Sequence, residues 1–202
     1  MAGELYRSYR AQNQNVFVLA FHVDYWNHLH WNDPYSSRAY TDRQRAYARI
    51  LDIRSLYTPQ MVINGQIEFT GSNRSKALKA IDFSLASSSA AKIELEALSP
   101  QATPAFQLNY RVTGADTGTD IHFALVEGGL VRKIGRGENA GKTLRHEHVV
   151  RAFRTEHLDG NMSATTAVNL PRDLKFRNAK IVVYTQQRDS GHITAAAELS
   201  LQ

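Results

Sequence analysis

The segment Tyr57-Thr58-Pro59-Gln60-Met61-Val62-Ile63-Asn64-Gly65 constrains this chain more than any other. Proline cannot donate to a β-ladder, so Pro59 belongs at the head of a strand, at an edge or a bend. Met61 to Ile63 then reads as a strand, Asn64-Gly65 as a tight turn and Gln66 to Phe69 as the returning strand. A second phrase, Phe21-His22-Val23-Asp24-Tyr25-Trp26, closes the apolar, β-branched run Val16 to Val23. Such a run suits a strand buried on both faces.

The remaining elements of the first 90 residues follow from period and caps. Glu4 to Gln12 reads as an amphipathic helix. Asp24 to Ser37 is aromatic and irregular. Thr41-Asp42-Arg43-Gln44 has the form of a capping box, with Tyr47, Ile50 and Leu51 on one buried stripe behind it. Ser72 or Asn73 should cap a last helix carrying Leu78, Ile81 and Leu85 on one side. Strand, helix, strand, strand, helix is the back half of a thioredoxin-like α/β unit.

Near residue 90 the hydrophobic period changes, after the small, polar stretch Ser84 to Lys92, which reads as a fraying helix end and linker. Strands then follow strands: Ile93 to Leu98, Phe106 to Val112, Ile121 to Glu127, Leu130 to Ile134, Leu144 to Phe153, Met162 to Leu170, Ile181 to Gln186 and Ile193 to Leu201. Phe106, Leu108, Tyr110 and Val112 fall on one face, and Gly128-Gly129 is expected to make a tight hairpin. Short, regularly spaced strands with polar turns argue for an antiparallel sandwich of immunoglobulin-like build. The expected fold is therefore α/β plus all-β: a truncated thioredoxin-like domain over 1–90 and a β-sandwich over 91–202.

Composition excludes several functions. The chain has 202 residues and no cysteine, so disulfides, thiolate nucleophiles and cysteine metal ligands are ruled out. No apolar run approaches the roughly 20 residues of a membrane helix, and no signal peptide opens the sequence. The net charge of +5 is modest. Basic residues concentrate at Arg132, Lys133, Arg136, Lys142, Arg145, Arg151 and Arg154, but no aromatic residues interleave with them as a nucleic-acid stacking site needs. They read as a solvated strand face, and no nucleic-acid partner is expected. Gly135 and Gly137 sit six and four positions before Gly141-Lys142-Thr143, where a phosphate loop needs five, and strands rather than a helix follow. That loop reads instead as a long hairpin positioning Glu138 and Asn139.

The stretch from His22 to Pro34 holds His22, His28, His30, Asp24 and Asp33. A metal site would need these ligands to converge from a buried strand and a loop, and none is expected. His22 is expected to be satisfied by Asp24 or by backbone, under a loop pinned by Trp26 and Trp31. An aromatic loop beside a proline loop can form a groove for a peptide or small ligand. The candidate binding residues are His22, Asp24, Tyr25, Trp26, Trp31, Thr58, Pro59 and Gln60. No catalytic residue and no cofactor are assigned; no Gly-x-Ser-x-Gly elbow is present.

Phe21 to Trp26, Trp31-Asn32-Asp33-Pro34, Arg43 to Tyr47, Tyr57 to Gly65 and Gly137 to Ala152 together resemble a bacterial family catalogued as domain of unknown function 1223. The resemblance runs from about Val16 to the C-terminus. It implies a secreted or periplasmic protein with a thioredoxin-like domain followed by a β-sandwich, and no established activity. It also implies a cis Thr58–Pro59 bond, with the preceding amide and carbonyl turned outward to meet an extended peptide. Family members open with a strand running into a Cys-x-x-Cys pair and then a helix, whereas this chain begins at what reads as that helix. The strand so lacking would lie between Val16–Val23 and Met61–Ile63. Three outcomes are expected from that: direct pairing of the two flanking strands, a strand supplied by another chain, including a second copy through the open sheet, or a gap. The leading functional expectation is a non-catalytic binding module. The alternatives are part of a thiol–disulfide oxidoreductase without its cysteine segment, and an interaction protein working through its basic β-hairpin.

Overall fold

The computed structural model describes residues 1–28, 32–98, 104–135 and 141–201. Helix α1 (Ala2–Ala11) buries Leu5 and Tyr9, four positions apart on one face. After it, residues 16–23 lie between two packed layers. Only His22–Val23 (β1) forms a ladder, parallel to Ser36–Ser37 (β2). The expected long strand is thus mostly a single extended edge, but its side chains still alternate. Phe17, Leu19 and Phe21 pack against one cluster and Val16 against another.

Helix α2 (Arg38–Ile50) begins earlier than the capping-box reading placed it. Ser37 is extended, and its hydroxyl accepts the Ala39 amide at 3.2 Å. Thr41 lies inside the helix, buried, with its hydroxyl donating to Asp24 Oδ1 at 2.5 Å. The threonine that looked like a cap is a buried clasp on the preceding loop. The buried face carries Tyr40, Thr41 and Tyr47, while Ile50 is exposed.

Strands β3 (Gln60–Ile63) and β4 (Ile67–Thr70) form an antiparallel hairpin around Asn64-Gly65, both at positive φ (51° and 76°). A Cβ on Gly65 would fall 1.8 Å from the Gly191 carbonyl oxygen, so only glycine fits. Helix α3 (Arg74–Ala86) is capped by Asn73, whose Oδ1 accepts the Lys76 amide at 3.0 Å. Its buried stripe is Ala77, Ala80 and Ile81; Leu78, expected inside, is 36% exposed. The helix approaches its neighbours through small residues, so Leu5, Tyr9 and Phe69 fill the cluster with Ile81.

The rest of the chain is antiparallel: β5 (Lys92–Ala97), β6 (Ala105–Thr113), β7 (Thr119–Glu127), β8 (Leu130–Lys133), β9 (Thr143–His146), β10 (Val149–Leu158), β11 (Met162–Asn169), β12 (Ala179–Gln187) and β13 (Ile193–Ser200). One sheet has the order β10-β7-β12-β13, another β11-β6-β5. Phe106, Leu108, Tyr110 and Val112 of β6 meet Ile121, Phe123 and Leu125 of β7 and Ile181 and Val183 of β12 in one core. Gly128-Gly129 is a corner rather than a hairpin. Both edges of β7 are taken by β10 and β12, so the chain leaves the sheet and β8 pairs with β9. The expected strand Leu144 to Phe153 is broken at His148, at φ 58°.

The chain is a mixed α/β protein with three helices among the described residues and several antiparallel sheets. The helical part is bound to the four-stranded sheet. Ala20 donates to His148 O at 2.8 Å and accepts from the Val150 amide at 3.0 Å. Arg10 pairs with Glu198 at 2.8 Å, and Ile193 N donates to Asn64 O at 3.1 Å. Because Phe17, Leu19, Phe21 and Tyr40 cover its outer side, β7 is buried on both faces, which explains its near-continuous apolar sequence.

Candidate functional site

The Ala20 pairing fixes how the neighbouring backbone is aimed. Successive residues of an extended chain present their N–H and C=O groups to opposite sides. With Ala20 turned toward β10, the groups of Leu19 and Phe21 point the other way, and neither has a backbone partner among the described residues. On the facing wall β3 is paired through β4 on one edge alone. Between these walls runs a groove of about 610 Å³. Residues 15–23 and 58–64 line its sides, with Leu5, Ile81 and Leu85 below and Tyr40, Gln44 and Tyr184 above. Of the expected outcomes for this region, direct pairing of 16–23 with β3 does not occur.

The proline loop sits at one end of the groove. The Thr58–Pro59 bond is cis. Pro59 O accepts the Gly71 amide at 2.8 Å, and Thr58 has no backbone partner among the described residues. Gln60 is fixed from two sides, since its Oε1 accepts from Gln44 Nε2 at 3.0 Å and its Nε2 donates to Glu68 at 2.8 Å. Gln44 Nε2 also donates to Tyr57 O at 3.0 Å and Gln44 Oε1 accepts from Tyr25 Oη at 3.1 Å. Tyr57 Oη donates to Glu68. Burial, then the Glu68 bond, raises the Tyr57 pKa, so the phenol keeps its proton.

Of the residues singled out from the sequence, His22, Thr58, Pro59 and Gln60 line the groove together. Asp24 and Tyr25 do not; they hold the loop to α2 through Thr41 and Gln44. Trp26 is 48% exposed rather than packed, with its indole N–H on Thr58 Oγ1 at 3.0 Å. Trp31 and His30, like Glu138 and Asn139, lie outside the described residues.

His22 is satisfied by Asp33, not Asp24: Nδ1 and Oδ2 are 2.5 Å apart. Asp24 is already committed to Thr41. Burial pushes the Asp33 pKa up, but the His22 bond, the Tyr35 amide and the nearby imidazoles outweigh it and hold it below the ordinary carboxylate value. The His146 ring lies 5.2 Å from that of His22, and burial, then the His22 charge, lowers its pKa. Among the described residues no group of three acidic, histidine or cysteine side chains could hold a metal ion. Asp33, Gln44, Glu68 and His146 were not assigned from the sequence. Asp33 lies in the same His22–Pro34 stretch, where Asp24 or backbone was the expected partner, and Glu68 on the strand returning from the Asn64-Gly65 turn; Gln44 and His146 come from separate segments.

A family model described as a protein of unknown function, DUF1223, matches residues 1–186. The chain belongs to the DUF1223 family. The X-ray crystal structure of a protein from Agrobacterium tumefaciens, determined in a structural-genomics programme, superimposes with a TM-score of 0.73 at 22% identity, covering 100% of this DUF1223 chain and 87% of that one. That likeness carries the fold alone. No curated protein matches the chain. These 202 residues hold no cysteine, so none of them can supply the thiolate that thiol–disulfide exchange needs.

Proposed function

We propose that the chain is a non-catalytic binding module, a thioredoxin-like α/β part joined to an immunoglobulin-like β-sandwich, that takes an extended peptide in the groove between residues 16–23 and β3. One observation carries this: two backbone edges without partners among the described residues, Leu19 and Phe21 on one wall and the outer edge of β3 on the other, border the same groove. A peptide laid between them gains main-chain hydrogen bonds on both sides, with apolar pockets for alternate side chains. His22, Thr58, Pro59 and Gln60 border one end, with Trp26 behind Thr58. A second copy presenting its own edge is the competing occupant.

The basic residues of the later hairpin support no nucleic-acid role in this reading. Arg132 donates to Tyr35, Arg151 pairs with Glu127 and Asp173, and Arg154 pairs with Glu156. No helix among the described residues is long and apolar enough to cross a membrane. A secreted or periplasmic setting belongs to the same proposal.

The Trp26 indole is bonded to Thr58 Oγ1, so tryptophan fluorescence carries a reporter beside the proline loop. Titration with a valine-rich extended peptide should shift the emission saturably, and its backbone N-methylated counterpart should bind at least about ten-fold more weakly. Equal binding of the two peptides, or none by the unmodified one, would overturn the proposal. A concentration-dependent dimer in sedimentation that competes with the peptide would assign the groove to a second copy.

A further inference from the structure

A second cavity, of about 500 Å³, lies between α2 and the outer face of the four-stranded sheet. Along α2 it is bordered by Arg43, Ala46, Tyr47 and Ile50, and on the sheet by His122 and Phe153. Arg43 is the unusual member. Among the described residues it makes no ion pair with any carboxylate. Its Nη2 donates to Tyr47 Oη at 3.2 Å and to Tyr184 Oη at 2.9 Å. Its guanidinium carbon stands 4.2 Å from the ring centre of Phe21, 4.7 Å from Tyr47 and 5.5 Å from Phe153.

Among the described residues neither Nε nor Nη1 has a hydrogen-bond partner. Nor is either sealed from solvent: the buried, unpartnered side-chain polar atoms among the described residues are Thr119 Oγ1 and His146 Nε2. Both donors therefore keep accessible surface, and Arg43 borders this cavity as well as the groove beside residues 16–23. The Arg43 side chain is only partly exposed and has no counter-ion among the described residues, and aromatic faces return only part of the cost of that desolvation. The other charges at the cavity cancel. Asp120 is paired with Arg188 at 3.1 Å and with His157 at 2.7 Å. With His122 neutral, one uncompensated positive charge remains, inside walls that are otherwise largely apolar.

We propose that this cleft is a binding site for a small monocarboxylate with an apolar tail, whose carboxylate accepts hydrogen bonds from the unpartnered N–H groups of Arg43 while the tail lies against Ala46, Ile50 and Phe153. A single anionic charge matches the net charge of the cleft, and the volume falls within the roughly 300–1,000 Å³ usual for small-molecule sites.

His122 is the built-in reporter. It faces Arg43 from α2, Asp120 on its own strand, Thr155 and Phe153 from β10, and Tyr184 and Gln186 from β12. Burial, then the Arg43 charge, lowers its pKa, so an anion on Arg43 should raise it. Titrating the full chain with sodium benzoate while following the His122 ring by NMR should give a saturable shift and a raised His122 pKa. Benzamide, the neutral isostere, should bind at least ten-fold more weakly. Arg43→Met should abolish the benzoate effect. Ala46→Leu, which fills the cleft and leaves Arg43 in place, should do the same if Arg43→Met does not fold. Absence of a saturable benzoate shift, equal binding of benzamide, or full benzoate binding by a folded Arg43→Met or Ala46→Leu protein would overturn the proposal. A response to sulfate or chloride equal to that of benzoate would reduce the site to a general anion contact and overturn its carboxylate assignment.

Discussion

His122 should make the protein acid-sensitive in a window set by one buried ring. The side chain is 8% exposed on β7. Its ring stacks on Phe153, 5.3 Å between centroids, and Nδ1 is 2.8 Å from Thr155 Oγ1. Burial, then the charge of Arg43, pushes its pKa from 6.5 down to about 4. In the unfolded chain the imidazole takes up its proton near pH 6.5, whereas in the folded chain it waits until about 4. Between those values the unfolded state binds more protons, so stability falls as pH falls through the window and is flat above it. Each pH unit across the window is worth about 1.4 kcal/mol, and the whole of it about 3 kcal/mol. The perturbation is His122→Gln, which keeps a polar group near Thr155 but does not titrate. Urea unfolding of both proteins between about pH 7 and pH 4 isolates the contribution. Asp33, His146 and His148 act alike in the two proteins and cancel in the difference. The wild type should lose about 3 kcal/mol more than the variant over that range. Parallel stability curves for the two proteins would refute the reasoning.

Three further substitutions test the fold that positions the site. Glu127→Leu leaves the Arg151 guanidinium with Asp173 as its remaining carboxylate, in a position only 8% exposed; it should cost about 3 kcal/mol in chemical denaturation. Ser37→Ala removes the α2 cap and should cost about 1 kcal/mol, with a matching fall in melting temperature. Gly65→Ala meets both a positive φ and the Gly191 carbonyl. It should cost at least about 2 kcal/mol, read by the same unfolding assay, and a neutral result would show that the β3–β4 turn is free to move.

Strong local patterns were legible in the sequence. Asn64-Gly65 announced its turn because only residues tolerant of positive φ serve there, and alternation in Phe106 to Val112 marked the core face of β6. Elements defined by tertiary contact were not legible. Thr41 has the composition of a cap, yet Ser37 supplies the cap and Thr41 clasps Asp24. The buried stripe of α3 was legible in part: Ile81 and Leu85 pack as expected, but Ala77 and Ala80 rather than Leu78 complete it. At the candidate site, Thr58, Pro59, Gln60 and His22 could be named from their local phrases. Their partners Gln44, Glu68 and Asp33 could not, although they lie only 16, 8 and 11 positions away, because the folding of loop and hairpin decides which nearby polar side chain meets which. Arg43 stood in the sequence only within the Thr41–Gln44 capping box and the Arg43–Tyr47 phrase, and what distinguishes it, the surrounding aromatic rings and no carboxylate partner among the described residues, comes from the packing.

Helix α1 reaches both parts of the chain: Tyr9 bonds Asp82 of α3, while Arg10 pairs with Glu198 of β13. Together with the Ala20 and Asn64 bonds to β10 and β13, it straps one part to the other by contacts that do not depend on the covalent link near residues 87–90. A single proteolytic nick in that exposed connection should therefore release nothing. The two pieces would travel through a gel-filtration column as one particle and melt in one transition.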